Sequence, residues 1–401
     1  MSEDSFRRMW AELLPVGRSA ASGGYRRHAW DSADAECRAW FREQAESRGL
    51  AYELDRNGNQ WAWLGDPQAG DAVVTGSHLD SVPDGGAYDG PLGVVSSFAA
   101  LDELRAKGAE FSKPLAIVNF GDEEGARFGV ACIGSRLTAG VLSQEQAYEL
   151  RDADGTRLPD AMERAGYDPA AIGADRDRLG RIGAFVELHV EQGRYLTADQ
   201  PVGVAGAIWP HGRWRFDFHG EANHAGTTRI EDRRDPMLTY AETVLAARAG
   251  ATADALATFG KVAVEPNGTN AIASLVRGWL DSRAADEATL QRLVDRIERA
   301  ARERGERDGV RVELTRESFT PVVGFDAALR DRLAGLLGGV PVLPTGAGHD
   351  AGILASAVPT AMLFVRNPSG VSHSPAEYAE EADCLAGVAA LAHVLEDLAC
   401  H

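Results

Sequence analysis

Ala72-Val73-Val74-Thr75-Gly76-Ser77-His78-Leu79-Asp80 opens on a short apolar run and closes on an imidazole and a carboxylate. Such a run, bounded by turn-forming residues, reads as a buried strand. A second run, Leu115-Ala116-Ile117-Val118-Asn119-Phe120, lies downstream, and Gly93 to Lys107 between them reads as a helix. Strand, helix and strand make a crossover unit, which sets two strands parallel in one sheet. Two more runs extend the pattern: Ala184 to Leu188, leading into His189, and Ala361 to Val365, leading into a polar loop that contains His373. In sheets of this kind the ligand crevice lies just outside the carboxyl ends of the strands. The chemistry is expected along that edge.

Upstream, Asp31 or Ser32 can cap a helix that carries Cys37, Trp40, Phe41 and Ala45 and stops at Gly49. Tyr52 to Leu54 and Trp61 to Leu64 flank an Asn57-Gly58 turn and read as a hairpin. From about Gly206 the pattern changes: Trp214, Phe216 and Phe218 alternate with Arg215, Asp217 and His219, which marks a half-buried strand. A helix from Pro236, strands near Lys261 to Val264 and Ser274 to Leu280, a charged helix from Asp286 and a strand at Val310 to Leu314 follow. That order, β-α-β-β-α-β, is the split ferredoxin-like arrangement. The expected fold class is therefore α/β: a mixed-sheet domain from residues 1–205 plus 320–401, with an α+β domain, 206–319, inserted into it.

The chain has 401 residues and a formal charge of −19, from 41 Lys and Arg against 60 Asp and Glu. That balance disfavours nucleic acid and anionic membranes as partners. The apolar runs fall well short of the roughly 20 residues that span a bilayer, and MSEDSFRRMW carries no signal-peptide core, so a cytoplasmic location is expected. Cys37, Cys132, Cys384 and Cys400 form no CxxC pair and read as reduced thiols.

Four strand ends supply ligand-type residues. His78 and Asp89 bracket the first loop, Glu123-Glu124 follows the second strand, His189 ends the third and His373 follows the fourth. Imidazole with carboxylate suits a divalent cation of the zinc or manganese type, with cobalt or nickel possible on the same donors. A single His or Glu-Glu pair would be unremarkable, but four such segments on one edge make a site.

The segments GSHLDSVPDGGAYDGPLGV, DEEGARFG, ELHVEQG, EANHAGTT, GAGHDA and VSHSP resemble those of M20-type amidohydrolases, in the branch of N-carbamoyl-L-amino-acid hydrolases and allantoate amidohydrolases. The resemblance implies two divalent metal ions per subunit, bridged by Asp89, with His78 and His189 completing one site and Glu124 and His373 the other. It implies Glu123 as general base and Asp80 as the partner that holds the His78 ring. Gln192, Asn270, Arg283, Gly348 and His349 match substrate-binding positions. His224 matches an oxyanion-stabilising residue contributed across a homodimer, which makes the inserted domain one of dimerisation and lid closure. The implied reaction releases an L-amino acid, ammonia and carbon dioxide from an N-carbamoyl-L-amino acid, a small ureido acid. Allantoate is the alternative substrate, a dipeptidase or aminoacylase is a third reading, and a non-catalytic metal-binding protein a fourth. Retention of Glu123 speaks against the last.

Overall fold

The computed structural model describes residues 2–400. Residues up to Gly206 and from Gly324 onward form one compact unit, and Ala207–Val323 form another. Along the chain the strands are β1 (Ala51–Leu54), β2 (Gln60–Leu64), β3 (Ala72–His78), β4 (Leu115–Phe120), β5 (Ile182–Val190) and β6 (Val202–Ile208). They continue with β7 (His211–His219), β8 (Asn223–His224), β9 (Ala255–Glu265), β10 (Ala271–Ile272), β11 (Leu275–Ala284) and β12 (Arg311–Thr320). The last are β13 (Val323–Gly324), β14 (Val342–Thr345) and β15 (Thr360–Val365).

The large sheet runs β1-β2-β4-β3-β5-β15-β6-β13, with β14 also paired to β6. Its centre is parallel: β4 with β3, β3 with β5, and β5 with β15. The hairpin β1-β2 and strand β6 add antiparallel neighbours on either side. This mixed sheet bears out the fold class. Every residue of β3, β4 and β15 is buried, because helices cover both faces of a parallel sheet and leave no solvated side. One covering helix, Pro91–Ala106, starts with Pro at its first turn, where the missing N–H has no helical partner to lose. Another, Ser32–Ser47, is capped by Asp31, whose carboxylate accepts the Asp34 N–H at 2.9 Å.

Sequence reading passed over the first helix, Ser2–Leu13, whose Phe6, Met9 and Leu13 join the core that holds Phe41, Phe98 and Leu101. These residues recur at three- and four-residue spacing, the signature of one buried helical face. Several strands also run longer than their apolar runs suggest. The strand anticipated at Val310 to Leu314 extends to Thr320 as β12, because its exposed, polar half still pairs with β7.

In the second unit, β12-β7-β11-β9 form an antiparallel sheet. Counted within this four-stranded sheet, the spatial order is fourth, first, third, second, the ferredoxin-like order. Its helices are Pro236–Gly250 and Glu287–Asp308. Leu290, Leu293, Val294, Ile297 and Ala301 of the second helix share a core with Phe216, Phe218, Val276 and Leu280 from the sheet. Among the described residues no helix is long and apolar enough to cross a membrane.

One close approach fixes the first crossover. A Cβ on Gly93 would lie 2.2 Å from the Leu188 carbonyl oxygen and 2.8 Å from Ser77 Cβ. Helix and strand backbones therefore touch where His78 and His189 are about to leave the sheet. Gly93→Ala is expected to cost about 1–3 kcal/mol through overpacking. Urea denaturation measures it, and an unchanged midpoint and slope would show that the contact can relax freely.

Candidate metal centre

His78 is the last residue of β3 and His189 the penultimate residue of β5. Each is aimed by a local carbonyl. His78 Nδ1 lies 3.2 Å from the Asp80 backbone oxygen, and His189 Nδ1 lies 2.9 Å from that of Val190. Donation from Nδ1 leaves Nε2 as a lone-pair acceptor turned to the crevice. Both Nε2 atoms are buried and have no hydrogen-bond partner among the described residues. The His78 ring fills the space above Gly90, where a Cβ would stand 2.4 Å from its carbon.

Asp89 faces both ways. Its Oδ1 is 3.1 Å from His189 Nε2 and 3.5 Å from His78 Nε2, while its Oδ2 is 3.4 Å from His373 Nε2. His373 Nε2 is also 3.5 Å from Glu124 Oε2. Two triads result, His78-Asp89-His189 and Asp89-Glu124-His373, each with ligand atoms within 4.8 Å of one another. They share one carboxylate, one oxygen to each side.

Glu123 belongs to neither triad. Its Oε2 is 3.8 Å from His78 Nε2, and its Oε1 accepts from the Cys132 thiol at 3.2 Å. The turn that carries both Glu123 and Glu124 is held by Asp80, whose two oxygens accept the Glu123 N–H at 3.1 Å and the Glu124 N–H at 3.0 Å. Asp80 Oδ1 lies 3.4 Å from His78 Nδ1, farther than its own backbone oxygen. The Asp80 carboxylate therefore acts on the acidic turn more directly than on the imidazole.

Gln192 donates to Asp89 Oδ2 at 2.7 Å and to Ser372 Oγ at 3.1 Å. Gly348 precedes His349, whose buried ring packs edge-on against His189 with centroids 4.5 Å apart. Glu187, His189 and His349 form a third group of possible ligands. Both Glu187 oxygens are already engaged, one by Ser77 Oγ at 2.7 Å and one by the Ala351 N–H at 2.9 Å, so this group suits a cation poorly. Sequence reading passed over Cys132, Ser372 and Glu377. The only signal for the last two was their place around His373 in Val371-Ser372-His373-Ser374-Pro375-Ala376-Glu377.

His224, Asn270 and Arg283 lie in the second unit. The β8-β10 pair sets His224 opposite Ala271, and the Ala225 N–H bonds the Asn270 carbonyl at 2.9 Å, so His224 and Asn270 come together. Arg283 sits near the end of β11, and its Nε donates to Asp281 at 2.8 Å.

Charge at the centre is lopsided. Burial pushes the Glu123 carboxyl well above its usual range, with the nearby His78 pulling it back. Burial and the charge of Asp89 raise Glu124 to about 7. Burial opposes protonation of His78, yet Glu123, Asp80 and Asp89 outweigh it and lift its pKa. The hydrogen bond to Asp89 raises His373 to about 9. Burial and then His189 keep His349 well below the ordinary imidazole value, so it stays neutral. A divalent cation would resolve this surplus, since it would favour the ionised carboxylates and could be held by the Nε2 lone pairs of His78 and His189. The donor set, imidazole and carboxylate without thiolate, fits such an ion. Asp89→Ala is expected to weaken cation binding by more than about 100-fold, since even outer partners of a ligand are worth 10–100-fold. Calorimetric titration with Zn²⁺ and Mn²⁺ reads this, and a folded variant that still binds like the wild type would remove Asp89 from the centre.

A sequence model described as peptidase family M20/M25/M40 matches residues 74–397. The chain is similar to an N-carbamoyl-L-amino acid amidohydrolase of Geobacillus stearothermophilus, 36% identical with 98% of each chain covered. It is similar to an allantoate amidohydrolase of Bacillus subtilis, 33% identical over 97% of this chain and 96% of that one. Among solved structures, an amidase of the hydantoinase/carbamoylase family from Burkholderia multivorans superimposes with a TM-score of 0.87 at 30% identity, covering 100% of this chain and 98% of that one.

Proposed function

The chain belongs to the M20/M25/M40 peptidase family as an amidohydrolase, and we propose that it hydrolyses an N-carbamoyl-L-amino acid to the L-amino acid, ammonia and carbon dioxide. The observation that carries this reading is the Asp89 carboxylate, with one oxygen toward His78 and His189 and the other toward His373. In this reading His78, Asp89 and His189 would hold one divalent ion, and Asp89, Glu124 and His373 a second, zinc or manganese. Such ions, when bound, acidify a water beside them.

Glu123 is the proton carrier. It lies beside His78 without belonging to either ligand group, which leaves its carboxylate free to take a proton from water and give it to a leaving nitrogen. Water adds to the ureido carbon, the bond to the amino-acid nitrogen breaks, and that nitrogen leaves with the proton Glu123 returns. The carbamate left behind falls to ammonia and carbon dioxide. Gln192 would orient the ureido head through its Oε1, which is buried and has no hydrogen-bond partner among the described residues while its Nε2 bonds Asp89 and Ser372. Arg283 and Asn270 anchor the substrate carboxylate, and His224 steadies the oxyanion in the other subunit of a homodimer. The 36%-identical relative named for N-carbamoyl-L-amino acids supports this choice. Allantoate, a diureido acid, is the second reading and is favoured by the 33%-identical allantoate amidohydrolase.

Ammonia release over a panel of N-carbamoyl-L-amino acids, allantoate, N-acetyl amino acids and dipeptides is the first test. At least one carbamoyl amino acid is expected to lead the panel in kcat/KM; a lead by allantoate would install the second reading, and a lead by dipeptides would reject both. Glu123→Gln is expected to keep its metal and lose about 10²–10⁴ in kcat, the usual worth of general acid–base catalysis. Turnover close to the wild type would take Glu123 out of that role. Mixing His224→Ala with Glu123→Gln subunits is expected to restore activity absent from either parent, because one site of each mixed dimer is intact. Lack of complementation would place His224 in its own subunit's site.

A further inference from the structure

Glu377 is buried, at 5% exposure, and lies 288 residues from the ligand it touches. Its Oε1 accepts two backbone N–H groups, from Tyr88 at 2.9 Å and from Asp89 at 3.0 Å. Its Oε2 lies 3.1 Å from Ser372 Oγ, which is itself 3.2 Å from Asp89 Oδ2. One carboxylate therefore holds both the main chain and, through Ser372, a side-chain oxygen of the shared ligand. Ser372 also precedes His373, so the same carboxylate joins the loop of the fourth strand to the loop of the first. The fit is close on the far side as well: a Cβ on Gly86 would stand 2.4 Å from both Glu377 Cβ and Oε1.

We propose that Glu377 is a positioning residue that sets Asp89 so that each carboxylate oxygen faces a different half of the metal centre. This rests on the metal-centre reading above. Its contribution is acceptor geometry and not charge. A carboxylate at this place adds a negative group beside Asp89, which alone would only repel it; what the site uses are two acceptor bonds at a fixed reach. The proton count agrees. Ser372 has one hydroxyl proton and two carboxylate oxygens competing for it, those of Glu377 and Asp89. An amide at position 377 would keep Oε1 for the two N–H groups and donate its own N–H to Ser372 Oγ, freeing the hydroxyl proton for Asp89.

The two single-atom-scale substitutions therefore separate the alternatives. Glu377→Gln keeps length and loses charge, whereas Glu377→Asp keeps charge and falls short by one methylene. Binding of Co²⁺ is followed by calorimetry and by its visible absorption, which reports coordination geometry. Glu377→Gln is expected to bind within about threefold of the wild type with the same spectrum, and Glu377→Asp about 10–100-fold more weakly with a changed spectrum. Glu377→Ala is expected to behave like the aspartate variant, and where it does not fold the Gln and Asp pair alone decides. The reverse order, Asp near wild type and Gln weak, would assign the effect to charge and overturn the proposal. Equal, unaltered binding by both would overturn it too. Absence of Co²⁺ binding by the wild type would instead reject the metal-centre reading on which it rests.

Discussion

Buried carboxylates govern this structure. Asp80, Asp89, Glu123, Glu124 and Glu377 gather at the carboxyl ends of parallel strands, and among the described residues Asp89, Glu123 and Glu124 pair with imidazoles and with neither lysine nor arginine. A carboxylate taken out of water needs a counter-charge or several donors. Two solutions operate side by side. Asp80 and Glu377 are satisfied by N–H groups, each accepting two from the turns they organise. Asp89 and Glu124 instead face the imidazoles of the two triads, where a divalent cation would offset their charge.

The scaffold follows from that division. Backbone has to pass close behind the ligands, and glycine stands where it does. Gly76, at φ +143°, would meet the Val118 carbonyl at 2.0 Å if it carried a Cβ, and Gly93 would meet that of Leu188. Sheet, helix and loop are thus packed at backbone contact directly beneath His78 and His189. Displacement of a ligand by a rotamer change is resisted by a neighbour at van der Waals distance, and packing of that density transmits strain instead of absorbing it.

Strands β3, β4, β5 and β15 were legible because each is a short apolar run with a ligand-type residue at its carboxyl end or in the loop beyond it, and the fold class followed from their order. The insertion was legible through period-two alternation at Trp214, Phe216 and Phe218. Glu377 was not legible: a glutamate four residues past a histidine carries no local signature, and its meaning arises only when residues 86–89 fold against it. Ser2–Leu13 escaped for a different reason. Its Phe6, Met9 and Leu13 spacing is helical, but a short helix is marginal alone and owes its existence to the core it covers. Asp80 was legible as a partner of the centre, yet its principal contacts, two N–H groups some forty residues away, depend on a turn whose path the sequence does not state.

The two halves of the centre differ in what they cost without an ion. In the inner half, His78 and His189 each bury an Nε2 with no hydrogen-bond partner among the described residues. Their nearest charged partner is the Asp89 carboxylate, at 3.1 Å from His189 and 3.5 Å from His78, so a cation bound in this half would engage lone pairs that no donor occupies among the described residues. In the outer half, Gln192 and Ser372 already bond Asp89 Oδ2, and His373 is half exposed. A cation entering there displaces hydrogen bonds and water, and its net gain is smaller. The same shared carboxylate thus presents one oxygen to a desolvated pocket and the other to a solvated one. That difference comes from the sheet itself, since His189 belongs to a central strand while His373 lies on a loop eight residues beyond β15.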